Sequence, residues 1–97
     1  MKRHDKYYIY MLKCVDERYY VGYTHNLEER IKLHNKGNGA KYLKTRLPVQ
    51  LVYSKEYKYY KNARHAEINL KKATRKQKEE LIRIYERNQS ETYGCPH

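Results

Sequence analysis

Arg30 and His34 stand four residues apart, so on a helix they share one face. A guanidinium fork and an imidazole in that relation can reach one phosphate together, the arginine through paired N–H donors. The bland reading of the pair is a surface arginine beside a histidine satisfied by its own helix. Glu67 is less ambiguous, because it and Glu56 are the only acids between Lys36 and Lys78. It falls at helical spacing from Ala63, Ala66 and Leu70, on a small-residue face. An acid there must pair with a base such as Arg64 or Lys71, or hold a cation. A lone carboxylate suits Mg²⁺ (or Mn²⁺), which keeps most of its waters and shares phosphate oxygens of a substrate, so it should bind weakly when substrate is absent. Phosphodiester hydrolysis asks for this set: an activated water, positive charge at the developing pentacoordinate phosphate and help for the departing alkoxide.

The charge of the chain agrees with a polyanionic partner. Between Lys36 and Lys78 ten Lys and three Arg face two Glu, which equals the whole formal charge of +11; the flanking segments nearly cancel. A basic block inside the folded part of a chain gains affinity for nucleic acid by releasing counterions; the plainer alternative is a lysine-rich solvated surface. Within it the stretch from Gly37 to Arg46 (GNGAKYLKTR) is glycine-punctuated, a phosphate-facing loop in which Lys41, Lys44 and Arg46 are candidates for backbone contacts. Such contacts position a duplex without reading its sequence. All aromatic content is tyrosine, 13 residues with no Phe or Trp, and most of these rings are expected in the core or at its edge.

The elements that must carry these residues follow from local patterns. Lys6 to Cys14 is β-rich with apolar or aromatic residues on both faces, as in a strand covered from two sides. Val15 to Arg18 turns the chain, and Arg18 to Thr24 resumes the β pattern, giving a hairpin. Asn26 and Glu29 form a capping pair, and Gly37 a stop, for a helix over 26–36. Pro48 closes the basic loop, and Val49 to Tyr57 is a third strand in which Leu51 and Tyr53 alternate against Val52. Asn62 is expected to cap a second helix. Thr74 with Gln77 caps a third, with Leu81, Ile84 and Tyr85 inward. The order β-β-α-β-α-α predicts an α+β fold, a small three-stranded antiparallel sheet flanked by three helices. One domain is expected over residues 1–87, with 88–97 a disordered C-terminal tail.

Within this frame Tyr8-Ile9-Tyr10 lies on one arm of the hairpin and Tyr20-Val21-Gly22 on the other. YVGYTHNLEER runs from the second triplet into the first helix. These segments resemble the GIY-YIG endonuclease superfamily. NKGNGAKYLKTRLPVQLVYSKEY is similar to the loop and third strand of its small single-domain bacterial-type members, and ARHAEINLKKATRKQKEELI to their last two helices. The resemblance covers residues 6 to 84. It implies that Tyr10 and Tyr20 are the motif tyrosines, that Arg30 is the helix arginine with His34 at a position holding histidine or tyrosine in relatives, and that Glu67 is the metal-binding glutamate. Three positions depart from the pattern: Tyr8 replaces the first motif's glycine, Tyr23 stands where excision-repair relatives have lysine, and their asparagine after the glutamate has no counterpart. For either tyrosine to act as a general base, its pKa must fall below the usual value of about 10, which adjacent cations can achieve; which of the two does so is open.

The function implied is a metal-dependent endonuclease acting on DNA, structure-directed or weakly sequence-specific. The alternatives are a non-catalytic nucleic-acid-binding module of the same fold and a protein-interaction domain for an acidic partner. No run of about 18 apolar residues is present, so no membrane association is expected, and a cytoplasmic location is. Cys14 and Cys95 show no CxxC spacing, and Cys95 with His97 would supply only two ligands of a zinc site.

Overall fold

The computed structural model describes residues 6–94, with side chains of the last helix described as far as residue 89. Strands β1 (Tyr7–Lys13) and β2 (Tyr19–Thr24) form the hairpin, followed by helix α1 (Leu27–Asn35), a 3₁₀ turn (Lys41–Leu43), strand β3 (Gln50–Tyr57) and helices α2 (Tyr60–Lys72) and α3 (Arg75–Gly94). The sheet order is β2-β1-β3, antiparallel throughout. This is the α+β fold anticipated from the sequence.

β1 is the middle strand, which explains its apolar residues on both faces. On one face Ile9 and Met11 join Val21, Val52, Ala63, Leu70 and Ile82 in a core with α2 and α3. On the other Tyr10, Leu12 and Cys14 pack with Leu43 and Val49 and with partly buried Leu27 and Ile31 of α1. The basic loop is thus anchored by Leu43, which is 1% exposed. The expected alternation of Leu51 and Tyr53 against Val52 does not hold. Pairing shifts between Met11, opposite Tyr53, and Leu12, opposite Leu51. The extra residue of this bulge sends Val52 and Tyr53 together to the α2–α3 side and Leu51 to the other.

Helix ends follow their caps with one exception. The Asn26 side chain accepts the Glu29 amide at 3.2 Å. Gly37 has φ +81°, and the amides of Gly37 and Asn38 close on the carbonyls of His34 and Leu33, a left-handed stop that favours glycine. Thr74 and Gln77 exchange backbone-to-side-chain bonds as a capping box. Asn62, expected as the cap of α2, lies inside it; the helix starts earlier, with Tyr59 at the cap position and no side-chain bond there. In α3 the buried residue is Ile82, with Leu81 and Tyr85 half-buried and Ile84 38% exposed. Two residues of helix rotate the side chain by about 200°, so Ile82 and Ile84 cannot both face in. α3 also continues beyond residue 88, where a disordered tail was expected, because Arg87 to Tyr93 contains no Gly or Pro to stop it. Residues 1–5 and 95–97, with Cys95 and His97, lie outside the described residues.

Candidate functional site

Tyr10 and His34 meet in the core beneath the basic loop. Each is 1% exposed, and the Tyr10 hydroxyl lies 3.0 Å from His34 Nε2. The other imidazole nitrogen, Nδ1, accepts the backbone N–H of Ala40 at 3.2 Å. An amide can only donate, so Nδ1 carries a lone pair and the neutral ring bears its proton on Nε2. Burial, and then the positive charge of Arg30, holds the His34 pKa below its usual value, which favours this neutral form. His34 therefore donates to Tyr10. The Arg30 guanidinium, on the same helix face as His34, also favours the Tyr10 phenolate.

Tyr10 oxygen thus accepts the His34 donor, and its own proton is not given to that ring. Burial pushes the Tyr10 pKa up; Arg30 opposes this, and the charges of Tyr20 and Glu67 add to it. The sequence-based expectation that a nearby arginine lowers a tyrosine is met in sign only. A further positive charge is needed to reverse the net shift.

Glycine makes the cluster possible at two points. A Cβ on Gly22, opposite Tyr10 in the β1–β2 register, would stand 2.6 Å from the Tyr10 hydroxyl oxygen. A Cβ on Gly39 would overlap the His34 ring, so the loop can bring Ala40 to His34 only if residue 39 lacks a side chain. Neither glycine was singled out as a site residue from the sequence, although Gly22 closes the second triplet.

Arg30 and His34 share the α1 face as the spacing required, and Arg30 Nε is buried without a hydrogen-bond partner. A buried unpaired donor costs about 1 to 3 kcal/mol, a cost that an arriving anion would remove. Arg30 also lines a groove of about 360 Å³ with Thr24, His25, Asn26 and Lys36 among its walls.

Tyr20 stands beside this cluster, its ring centroid 5.6 Å from His34 and 6.3 Å from Tyr10. Its other neighbour is Tyr42 of the basic loop, stacked at 6.1 Å. Tyr42 is in turn covered by the Arg46 guanidinium at 4.2 Å. Arg46 is committed within the protein: its Nε donates to Asp16 at 3.1 Å and its Nη1 to the Tyr42 carbonyl at 2.9 Å. It ties the loop to the hairpin turn. Lys41 and Lys44 are exposed at either end of the 3₁₀ turn.

Glu67 enters from α2, 4% exposed. Both partners weighed from the sequence are engaged: Arg64 bonds one carboxylate oxygen, and Lys71 approaches the other at 3.1 Å. Its charge acts on both Tyr10 and Tyr23. Tyr23, the position of the missing lysine, lies edge-on to Tyr60 at 5.8 Å between ring centres; that neighbour first, then burial, raises its pKa. Among the described residues no group of three or more His, Cys, Asp or Glu could hold a metal ion. One carboxylate flanked by two half-exposed cations does not make a resident metal cage. It does fit a hard cation that keeps its waters and arrives with phosphate oxygens. No described helix is long and apolar enough to cross a membrane.

Residues 6–80 match the GIY-YIG catalytic domain. The UPF0213 protein CPE1444 of Clostridium perfringens is 52% identical over 75 residues, which span 77% of this chain and 81% of that protein. The UPF0213 protein YazA of Bacillus subtilis is 44% identical, over 80% of this chain and 79% of its own. Among solved structures, the solution NMR structure of the protein EF2693 from E. faecalis is similar with a TM-score of 0.59 and 39% identity, covering 89% of this chain and 92% of that one. That of the UPF0213 protein BH0048 from Bacillus halodurans gives 0.55 and 37%, covering 81% and 84%.

Proposed function

Since the chain belongs to the GIY-YIG catalytic-domain family, a nuclease superfamily, we propose that it is a divalent-metal-dependent endonuclease that hydrolyses phosphodiester bonds in DNA with little sequence preference. The observation that carries this reading is the buried, unpartnered Arg30 Nε beside a buried tyrosine that accepts a hydrogen bond from His34. A structural core has no use for an unpaired buried guanidinium N–H.

In this reading Arg30 turns toward a non-bridging phosphate oxygen and satisfies its free donor. Tyr10 is the general base: once its hydroxyl proton is lost to solvent, His34 and Arg30 stabilise the phenolate, whose oxygen accepts the proton of the attacking water. His34 is the positioning partner, its tautomer set by Ala40. Tyr20, ordered by Tyr42, orients the water or phosphate. Glu67, paired here with Arg64 and Lys71, is the residue that would hold Mg²⁺ or Mn²⁺. The bound ion would supply positive charge at the scissile phosphate and lower the pKa of neighbouring groups. Lys41 and Lys44 hold the backbone of the duplex.

Glu67→Gln tests the core of the proposal. It removes the anchoring charge at nearly constant size, so cleavage should fall by orders of magnitude while DNA affinity holds or rises. Arg64 and Lys71 are about half exposed and can be hydrated, so the melting temperature should change little. If Glu67 serves only the ion pairs, the variant will instead melt earlier and keep its activity in proportion to the folded fraction.

A further inference from the structure

The chain enters α2 as YKYYKNAR, residues 57–64. Tyr59 occupies the cap position, where Ser, Thr, Asp or Asn would bond a first-turn amide, but its side chain makes no such bond. Tyr59 is 60% exposed. Helix initiation here forgoes a good cap, although Asn62 lies one turn on, and places a large ring at the surface instead. Tyr60 beside it is 47% exposed, its remaining surface packed edge-on against Tyr7 and Tyr23 at 5.7 and 5.8 Å. Lys58 Nζ lies 5.8 Å from the Tyr59 ring centre. Lys61 and Arg64 follow, and no acid stands between Lys58 and Arg64. Tyr60, Lys61, Arg64 and His65 contribute to a groove of about 360 Å³ along this corner.

We propose that this corner is a stacking platform for an unpaired nucleobase, with Lys58 and Lys61 neutralising the adjoining phosphates of single-stranded DNA. Exposed aromatic rings interleaved with cations are what a single strand requires, because its bases offer free π-faces that a duplex keeps stacked on one another. The absence of acids in the segment fits an anionic strand.

The location gives the platform a use, and this part rests on the nuclease reading. Tyr60 and Glu67 are seven residues apart on nearly one face of α2, so about 10 Å separates them along the axis. At about 3.4 Å per nucleotide of a stacked strand, a base on the platform lies roughly three nucleotides from a phosphate at Glu67. Lys41 and Lys44 belong to the loop packed on the opposite sheet face. A substrate that is duplex on one side and single-stranded on the other, such as a flap or branch, uses both surfaces.

The platform can be tested without cleavage. Fluorescence anisotropy in EDTA would compare oligo-dT, a base-free strand of equal length and a duplex, on wild type, Tyr59→Ala and Tyr59→Phe. Tyr59 is chosen over Tyr60 because it is the more exposed and loss of its ring leaves the core intact. Tyr59→Ala should weaken oligo-dT binding about tenfold, as loss of one stacked base does, leave the base-free strand and the duplex unchanged, and retain the wild-type melting temperature. Tyr59→Phe should bind as wild type. Unchanged oligo-dT binding by Tyr59→Ala, or an equal loss on the base-free strand, would overturn the proposal. With no metal present, this outcome is independent of whether Glu67→Gln abolishes cleavage.

Discussion

At the scale of single residues, the protonation states of Tyr10 and His34 are set by competing forces. Arg30 pulls the Tyr10 phenol toward its anion and burial pushes it back, with burial ahead. If the phenolate is the base, kcat/KM should rise with pH on the alkaline side of neutrality, about tenfold per unit below the governing pKa. Tyr10→Phe should lose both the activity and that limb. A Tyr10→Phe enzyme with the wild-type pH profile would remove Tyr10 from the proton transfer. His34 gives a second, equilibrium test. Its folded pKa is depressed by burial and then by Arg30, whereas in the unfolded chain it stands near 6.5. Between these values the unfolded state binds more protons, so stability is full above about pH 6.5 and declines as pH falls toward the folded pKa, by at most about 1.4 kcal/mol per unit for this one group. Urea midpoints at pH 7.5 and 5.5 should show that decline, and His34→Gln should flatten it.

At the scale of elements, the basic loop is a structured arm. Leu43 seats it in the core, Ala40 binds His34, and Arg46 binds Asp16 in the hairpin turn. Its three candidate cations should therefore separate on mutation. Lys41→Ala and Lys44→Ala should each weaken DNA binding for all sequences alike, lower the slope of log affinity against log salt by about one, and leave the melting temperature unchanged. Arg46→Ala should lower the melting temperature and release Tyr42 from over Tyr20, so that cleavage falls more than binding. Equal effects of all three on affinity alone would return Arg46 to the phosphate contacts expected from the sequence.

At the scale of the molecule, the +11 charge concentrated between Lys36 and Lys78 is spread over the loop, β3, α2 and the start of α3, so both layers of the sheet carry part of it. Affinity for duplex DNA should fall by powers of ten between about 50 and 200 mM salt if six or more phosphates are neutralised. Titrations at several salt concentrations measure this; a flat response would mean that the charge is only a solubilising surface.

Much of this protein is written locally. The hairpin, the cap at Asn26, the stop at Gly37, the box of Thr74 with Gln77 and the shared face of Arg30 and His34 depend on neighbours within a few residues, and the sequence determined all of them. So did the charge block and the membership implied by the tyrosine triplets. Tertiary structure decided what depends on partners distant in the chain. The bulge that turns Val52 and Tyr53 to one side exists only against β1. The inward face of α3 is set by where β3 lies, which favours Ile82 over Ile84. Arg46 binds Asp16, thirty residues earlier, and the tautomer of His34 is fixed by an amide beyond its own helix. Local pattern cannot weigh burial either, so the sign of the shift on Tyr10 waited for the core that closes around it.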